Sequence, residues 1–328
     1  MTFISVGIGA GLVSALLVSV FTKGTVLALL LFLFAPVPVL IASLGWHHRA
    51  GLVATAAGSA AIALVSGPGD GLGYALGTAL PAWWLGYLAL LGRAEAGGPV
   101  EWYPLGRLLA WIAATAALIL LAAGLVSTGS YERFQGNSRE IAELFLRAQT
   151  GTPRDAPIPN VGNIPASVMI ERFAMAAPIF AAQGFTLLLA FYVWIGARIV
   201  AVSGRLPRPW PSIPETLMPR AALIALGAGV VLANLPGWPS VLGLALSGAL
   251  VMAFGLQGLA AIHDLSRGRP GRVGILVVTY MIVFMTQGLV LAPLFLFGIA
   301  DTALGLRARL RARMARPPGA PPSPPPFS

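Results

Sequence analysis

Charged residues are missing from long stretches of this chain. No Asp, Glu, Lys or Arg occurs in 1–22, 24–48, 50–69, 71–92, 108–131, 173–197, 221–263 or 273–300. About 20 apolar residues cross a bilayer core as a helix. A charge at mid-membrane costs roughly 2.5–3.5 kcal/mol even on insertion-based scales. Blocks of this length and number predict an all-α fold, a polytopic transmembrane helical bundle. Hydrophobic residues make up 57% and charged residues 10%, against about 45–50% and 25% in soluble domains. The bilayer, rather than a water-excluded globule, therefore sets the architecture.

The candidate spans are 4–22, 24–46, 50–67, 71–92, 105–127, 173–199, 220–235, 239–262 and 273–300, which gives eight or nine crossings. They form a single membrane domain, 1–316, followed by a Pro-rich tail, 317–328. The first block has no basic n-region and no small-residue cleavage site, so it is expected to be a span rather than a removable signal. Pro236-Gly237-Trp238-Pro239 divides a block too long for one helix into a tight hairpin with a short first arm. Pro293 predicts a bend in the last block.

The net charge is +10, and Lys23 is the only lysine. The arginines flank apolar blocks, as headgroup anchors do, so lipid is the expected partner and nucleic acid is not. Basic residues in short loops mark the cytoplasmic side. With nine crossings, Arg49, Arg93 with Arg107, Arg198 to Arg220, and Arg267 to Arg272 share that side. The C-terminal cluster Arg307, Arg309, Arg311, Arg313 and Arg316 then falls on the opposite side. A basic tail belongs in the cytoplasm, so one drawn span must be wrong; 220–235 and 273–300 are the suspects. The expected location is a bacterial cytoplasmic (inner) membrane.

Residues 128–165 form the longest loop. Asn137 can cap a helix with Glu140 three residues on, and Ile141, Leu144, Phe145 and Ala148 then share a face. Gly151 can end this short amphipathic helix. Residues 317–328, PPGAPPSPPPFS, are expected to be an extended disordered tail. Leu306, Leu310 and Met314 among arginines predict a helix lying on anionic lipid.

Chemistry-bearing motifs are scarce. Cysteine is absent, and three histidines offer no convincing metal site. Neither G-x-x-x-x-G-K-[ST] nor H-E-x-x-H occurs. No cofactor, metal or catalytic residue is expected, and the chain is not expected to be an enzyme. An enzyme would require three or more of His263, Asp264, Asp301, Glu171 and Arg172 to converge. The ligand or cavity candidates are Gln257, His263, Tyr280 and Gln287, polar groups in or at the edge of apolar blocks. Such groups otherwise hydrogen-bond neighbouring helices, for under about 2 kcal/mol each. Gly7-x-x-x-Gly11 and Gly73-x-x-x-Gly77 permit close helix approach and are read as bundle packing. Pro36 and Pro38 must kink or end the second span, leaving carbonyls for neighbours to satisfy.

A series of short motifs adds a resemblance. Pro36 and Pro38 close an early span, and Pro81 follows in Leu80-Pro81-Ala82. Then come Trp102-Tyr103-Pro104-Leu105-Gly106-Arg107 and Gln257-Gly258-Leu259-Ala260-Ala261-Ile262-His263. Gly298-Ile299-Ala300-Asp301 leads into Leu306-Arg307-Ala308-Arg309. Together these resemble the YybS-like family of bacterial membrane proteins of unassigned function. That family is similar in architecture to the substrate-binding subunits of energy-coupling-factor vitamin transporters and, more distantly, to the rod-shape protein MreD. The resemblance implies a helical bundle with a central cavity, no ATPase of its own, and Gln257 and His263 near the cavity or a coupling surface. Two functions follow as expectations: a transport-related small-molecule-binding subunit, or a structural scaffold of the envelope or division machinery with a membrane or cytoplasmic protein partner.

Overall fold

The computed structural model describes residues 2–94, 98–160, 162–285 and 291–314. Gln287 and the 317–328 tail lie outside them. Helices dominate: α1 (Phe3–Ser19), α2 (Val26–Leu33), α3 (Pro36–Trp46), α4 (His48–Ser66), α5 (Pro68–Tyr74), α6 (Leu80–Ala89), α7 (Leu105–Thr128), α8 (Tyr131–Thr150), α9 (Ala166–Val202), α10 (Ala221–Ala233), α11 (Trp238–Leu265), α12 (Arg272–Met285), α13 (Leu291–Leu304) and α14 (Leu306–Met314). Two short strands, β1 (Gly92–Arg93) and β2 (Glu101–Trp102), pair antiparallel between α6 and α7, with Gly92 opposite Trp102. The chain is an all-α multi-pass membrane protein.

Among the described residues six segments are long and apolar enough to cross a membrane: Phe3–Lys23, Val26–Trp46, His48–Ser66, Leu105–Thr128, Ala166–Val202 and Trp238–Leu265. The expected 71–92 span is a helix from Pro68 to Ala89 with a π turn at Ala75–Ala79. Its cause is Pro81, which cannot donate to a preceding carbonyl. The Thr55 hydroxyl, 3.3 Å from the Ala79 carbonyl, donates to this irregular backbone. Three apolar arms are shorter: α10, α12 and α13.

Pro36 and Pro38 split the second span between α2 and α3, as expected. The Ser14 hydroxyl donates to the Ala35 carbonyl at 2.5 Å, and the Tyr74 hydroxyl donates to Ser14 at 2.7 Å. A three-helix polar relay thus supports the break inside an apolar bundle. Gly7 and Gly11 let α1 lie against α4: a Cβ at Gly7 would stand 2.6 Å from the Ala50 carbonyl oxygen, and Gly11 is crowded by the Ala54 backbone. Gly73 and Gly77 face open space, so the second motif packs nothing within the bundle.

The structure refines four expectations. Within the block 273–300 the described residues are helical on both sides of 286–290, as α12 and α13. The C-terminal arginines do not fall on the opposite side: Arg307 bonds Pro214 and Thr216, and Arg311 bonds Asp264, so they stand at the end that holds the basic loops 198–220 and 267–272. Second, α9 starts at Ala166 rather than 173, and its 37 residues span about 55 Å. Glu171 and Arg172 lie inside it, and Glu171 pairs with Arg139 of α8 at 2.7 Å.

Third, the loop helix is longer than expected. Ser130 caps it, its hydroxyl accepting the Arg133 amide at 3.3 Å, so Asn137 lies mid-helix. The Ser138, Ala142 and Leu146 stripe buries against the bundle, which carries the helix N-terminally past the Asn137 signal. Gly151, in the left-handed region at φ 66°, ends it as expected. Fourth, α14 is tied to the bundle at its first turn: Arg307 is buried, while Arg309 is exposed.

Candidate functional site

Two neighbouring features stand at the basic end of the bundle. The first is a buried polar clasp. Close packing of α11 on α13 creates it: Gly258 lies against the Leu294 carbonyl and Gly298 against the Phe254 carbonyl, with no room for a Cβ at either. Gln257 is 0% exposed between them. Its Oε1 accepts the Met218 amide at 2.9 Å and the Thr302 hydroxyl at 3.2 Å. Its Nε2 stands 3.1 Å from the Gly298 carbonyl, Asp301 Oδ2 and Thr302 Oγ1. Gln257 is thus occupied by protein groups.

Asp301 lies in the last turn of α13, and the chain turns through Gly305 (φ 63°) into α14. Its Oδ1 accepts the Arg307 amide at 2.9 Å. Its Oδ2 accepts Arg307 Nη2 at 2.7 Å and Nε at 3.2 Å. Arg307 also donates to the Pro214 carbonyl at 2.7 Å and the Thr216 carbonyl at 2.9 Å. Asp264, its side chain 1% exposed, stands 3.6 Å from Arg307 and bonds Arg311. Arg267 extends the set to Glu215 and Ser212, at 2.9 Å each. The Ser212 hydroxyl first, and then Arg267, hold the Glu215 carboxyl below the usual range. The clasp therefore ties α11, α13 and α14 to the 212–218 segment.

The second feature is an apolar pocket of about 510 Å³ between α7, α9 and α11, roofed by residues 206–216. Leu105, Leu109 and Ile112 of α7, Val193 and Trp194 of α9, and Leu256 and Ala260 of α11 form its walls. His263 and Tyr280 line it together, His263 Nε2 and the Tyr280 hydroxyl 2.9 Å apart. Tyr280 is the contribution of α12, a helix with no buried residue. Two of the four ligand candidates thus meet in one pocket, and Gln257 lies beside it on the clasp.

Arg208 enters from the roof. Its Nη1 donates to the Ala89 carbonyl at 2.8 Å, at the end of α6, and lies 3.4 Å from the Tyr103 carbonyl. Its guanidinium stands 5.8 Å from the Trp102 ring centroid. Nε is buried without a partner, and Arg208 has no carboxylate partner among the described residues. Burial lowers its pKa from a high starting value, and guanidinium stays charged.

The remaining motif positions shape this end. The Tyr103 amide donates to the Leu91 carbonyl at 2.8 Å, and its hydroxyl accepts from Trp111 at 3.1 Å. Pro104 precedes the first turn of α7, and Gly106 lies against the Leu217 carbonyl, where a Cβ would not fit. Arg107 is exposed. Pro36, Pro38 and Pro81 shape the N-terminal helices instead. Of the five residues an enzyme would need together, Asp264 and Asp301 meet on Arg307. His263 turns to Tyr280, and Glu171 and Arg172 stand on α9. Sequence reasoning missed Arg208, whose signal was the proline-braced run Pro207-Arg208-Pro209-Trp210-Pro211. Among the described residues no group of three His, Asp or Glu could hold a metal.

A family model described as a predicted membrane protein (DUF2232) matches residues 12–302. The chain belongs to this family. No curated protein and no solved structure matches it. The DUF2232 match takes in the pocket, Gln257 and Asp301, and ends before Arg307.

Proposed function

We propose that this DUF2232 member is a membrane-embedded small-molecule-binding subunit in a transport-related system, of the YybS-like kind. The observation that carries this reading is the 510 Å³ pocket, largely apolar and edged by a few polar groups. Ligand pockets typically measure about 300–1,000 Å³ with that same composition. A scaffold of the envelope or division machinery needs no such cavity. The clasp gives the subunit a rigid end at which a membrane or cytoplasmic partner would sense the pocket.

The basic end is proposed to face the cytoplasm of a bacterial cell, in its inner membrane. At the opposite end Lys23, Arg133, Arg139, Arg147, Arg154 and Arg172 are matched by six acids, Asp70, Glu132, Glu140, Glu143, Asp155 and Glu171. The excess positive charge thus sits at the clasp end, the side retained in the cytoplasm.

The test is thermal stabilisation of the purified protein across a panel of metabolites, vitamins and lipophilic compounds. Ala260→Trp, which fills the pocket, should abolish any stabilisation found. Stabilisation that survives Ala260→Trp, or none across the panel, counts against a binding subunit.

A further inference from the structure

We propose that the pocket takes a single-chain anionic amphiphile, a long-chain carboxylate, with its headgroup on Arg208 and its chain between α7, α9 and α11. The proposal rests on the binding-subunit reading and names its ligand class.

The walls supply the first half of the argument. Leu105, Leu109, Ile112, Val193 and Leu256 offer no hydrogen-bonding side-chain atom. A polar ligand such as a sugar would lose its water there without replacement, at roughly 1–3 kcal/mol per unpaired group. An alkyl chain gains instead, at about 0.8 kcal/mol per buried CH₂.

The headgroup follows from which lining polar groups are already used. Thr216 donates to the Ile213 carbonyl at 2.6 Å, and His263 and Tyr280 hold each other at 2.9 Å. Among the described residues Arg208 alone brings a full positive charge to the lining, and no described carboxylate pairs with it. Its Nη1 is committed to Ala89 and Tyr103, while its buried Nε has no partner. The guanidinium edge without a protein partner is therefore the one carrying Nε, and a carboxylate seated there would answer that buried donor. Placement agrees: Arg208 caps the end of the apolar helix α6, and lines the pocket together with apolar residues of α7, α9 and α11. A cationic head would meet Arg208 in repulsion. A neutral head would leave its charge unanswered. The 510 Å³ volume suits one chain rather than a two-chain phospholipid.

The full-length protein in phosphatidylcholine nanodiscs, stripped of co-purified lipid, is titrated with palmitate and with hexadecanol, its neutral counterpart. Binding is read by native mass spectrometry and by the unfolding midpoint. Palmitate should bind about tenfold or more tighter than hexadecanol, as one charge-assisted hydrogen bond requires. Arg208→Gln should remove that preference and Arg208→Lys keep part of it; Ala260→Trp should lose both ligands. Because Arg208 also caps Ala89, the palmitate-to-hexadecanol ratio on the unaltered protein decides the matter if Arg208→Gln does not fold. Equal binding of the two, both lost in Ala260→Trp, overturns the anionic headgroup and leaves the pocket as a binding site. Displacement of palmitate by equimolar phosphatidylglycerol overturns the single-chain commitment. Binding of neither compound overturns the proposal, and the compound panel then decides the binding-subunit reading separately.

Discussion

Arg307 grips Asp301 with its backbone amide at 2.9 Å and with two guanidinium nitrogens at 2.7 and 3.2 Å. The Asp301 side chain is 1% exposed and that of Arg307 9%. Taking one member from a buried ion pair strands the other, at about 3–5 kcal/mol. Asp301→Asn should lower unfolding stability by that order, measured by denaturant or heat in detergent. Asp301→Asn with Arg307→Gln should cost less than the two single losses added together. A single-variant loss below about 1 kcal/mol would show that the pair is solvated.

Gln257 is expected to matter for stability and not for ligand affinity. Gln257→Leu keeps the volume but leaves the Met218 amide without its acceptor. An orphaned buried donor costs roughly 1–3 kcal/mol. Any ligand that stabilises the native protein should stabilise Gln257→Leu by a similar increment. A ligand-specific loss would put Gln257 in the pocket after all.

Two glycines of similar sequence context should respond oppositely to alanine. A Cβ at Gly258 meets the Leu294 carbonyl, so Gly258→Ala must push α11 from α13. Overpacking of this kind costs typically about 1–3 kcal/mol. Gly73 has open space around it, and Gly73→Ala gains helix propensity of up to about 1 kcal/mol. Parallel thermal melts of the two variants check the contrast. Equal destabilisation would mean that Gly73 packs against a second molecule in the membrane.

The Glu215 carboxyl is held below its ordinary range by Ser212 and Arg267. A depressed carboxylate contributes stability that is complete above its unfolded pKa, about 4.3. That contribution fades only as pH falls through the lower folded value. The stability difference between the native protein and Glu215→Gln should be flat from pH 8 to about 5 and shrink in more acid solution. A difference that changes near neutrality would point to another titrating group.

The sequence disclosed the membrane helices because charge is excluded from the bilayer at any position along a span. Pro36, Pro38 and Gly151 acted through local backbone chemistry and were equally readable. Helix length was not: α9 extends past the apolar block because α8 covers its first turns, with Glu171 answered by Arg139. His263 and Tyr280 were picked as isolated polar groups and meet across 17 positions. Arg208 was hidden among basic loop residues that all look like headgroup anchors. Its role depends on Ala89 and Tyr103, more than a hundred positions away.

Asp264, Asp301 and the carbonyls of Pro214 and Thr216 all precede Arg307 in the chain. During synthesis these acceptors are made first and wait without their common donor. The helices before them can insert one after another, but the end of the bundle they form stays open until Arg307 leaves the ribosome. Assembly of the C-terminal half is therefore timed by translation. A chain cut short between positions 302 and 307 would leave Asp301 with no cation and Asp264 with Arg267 alone, a form that membrane quality control can tell from the finished protein.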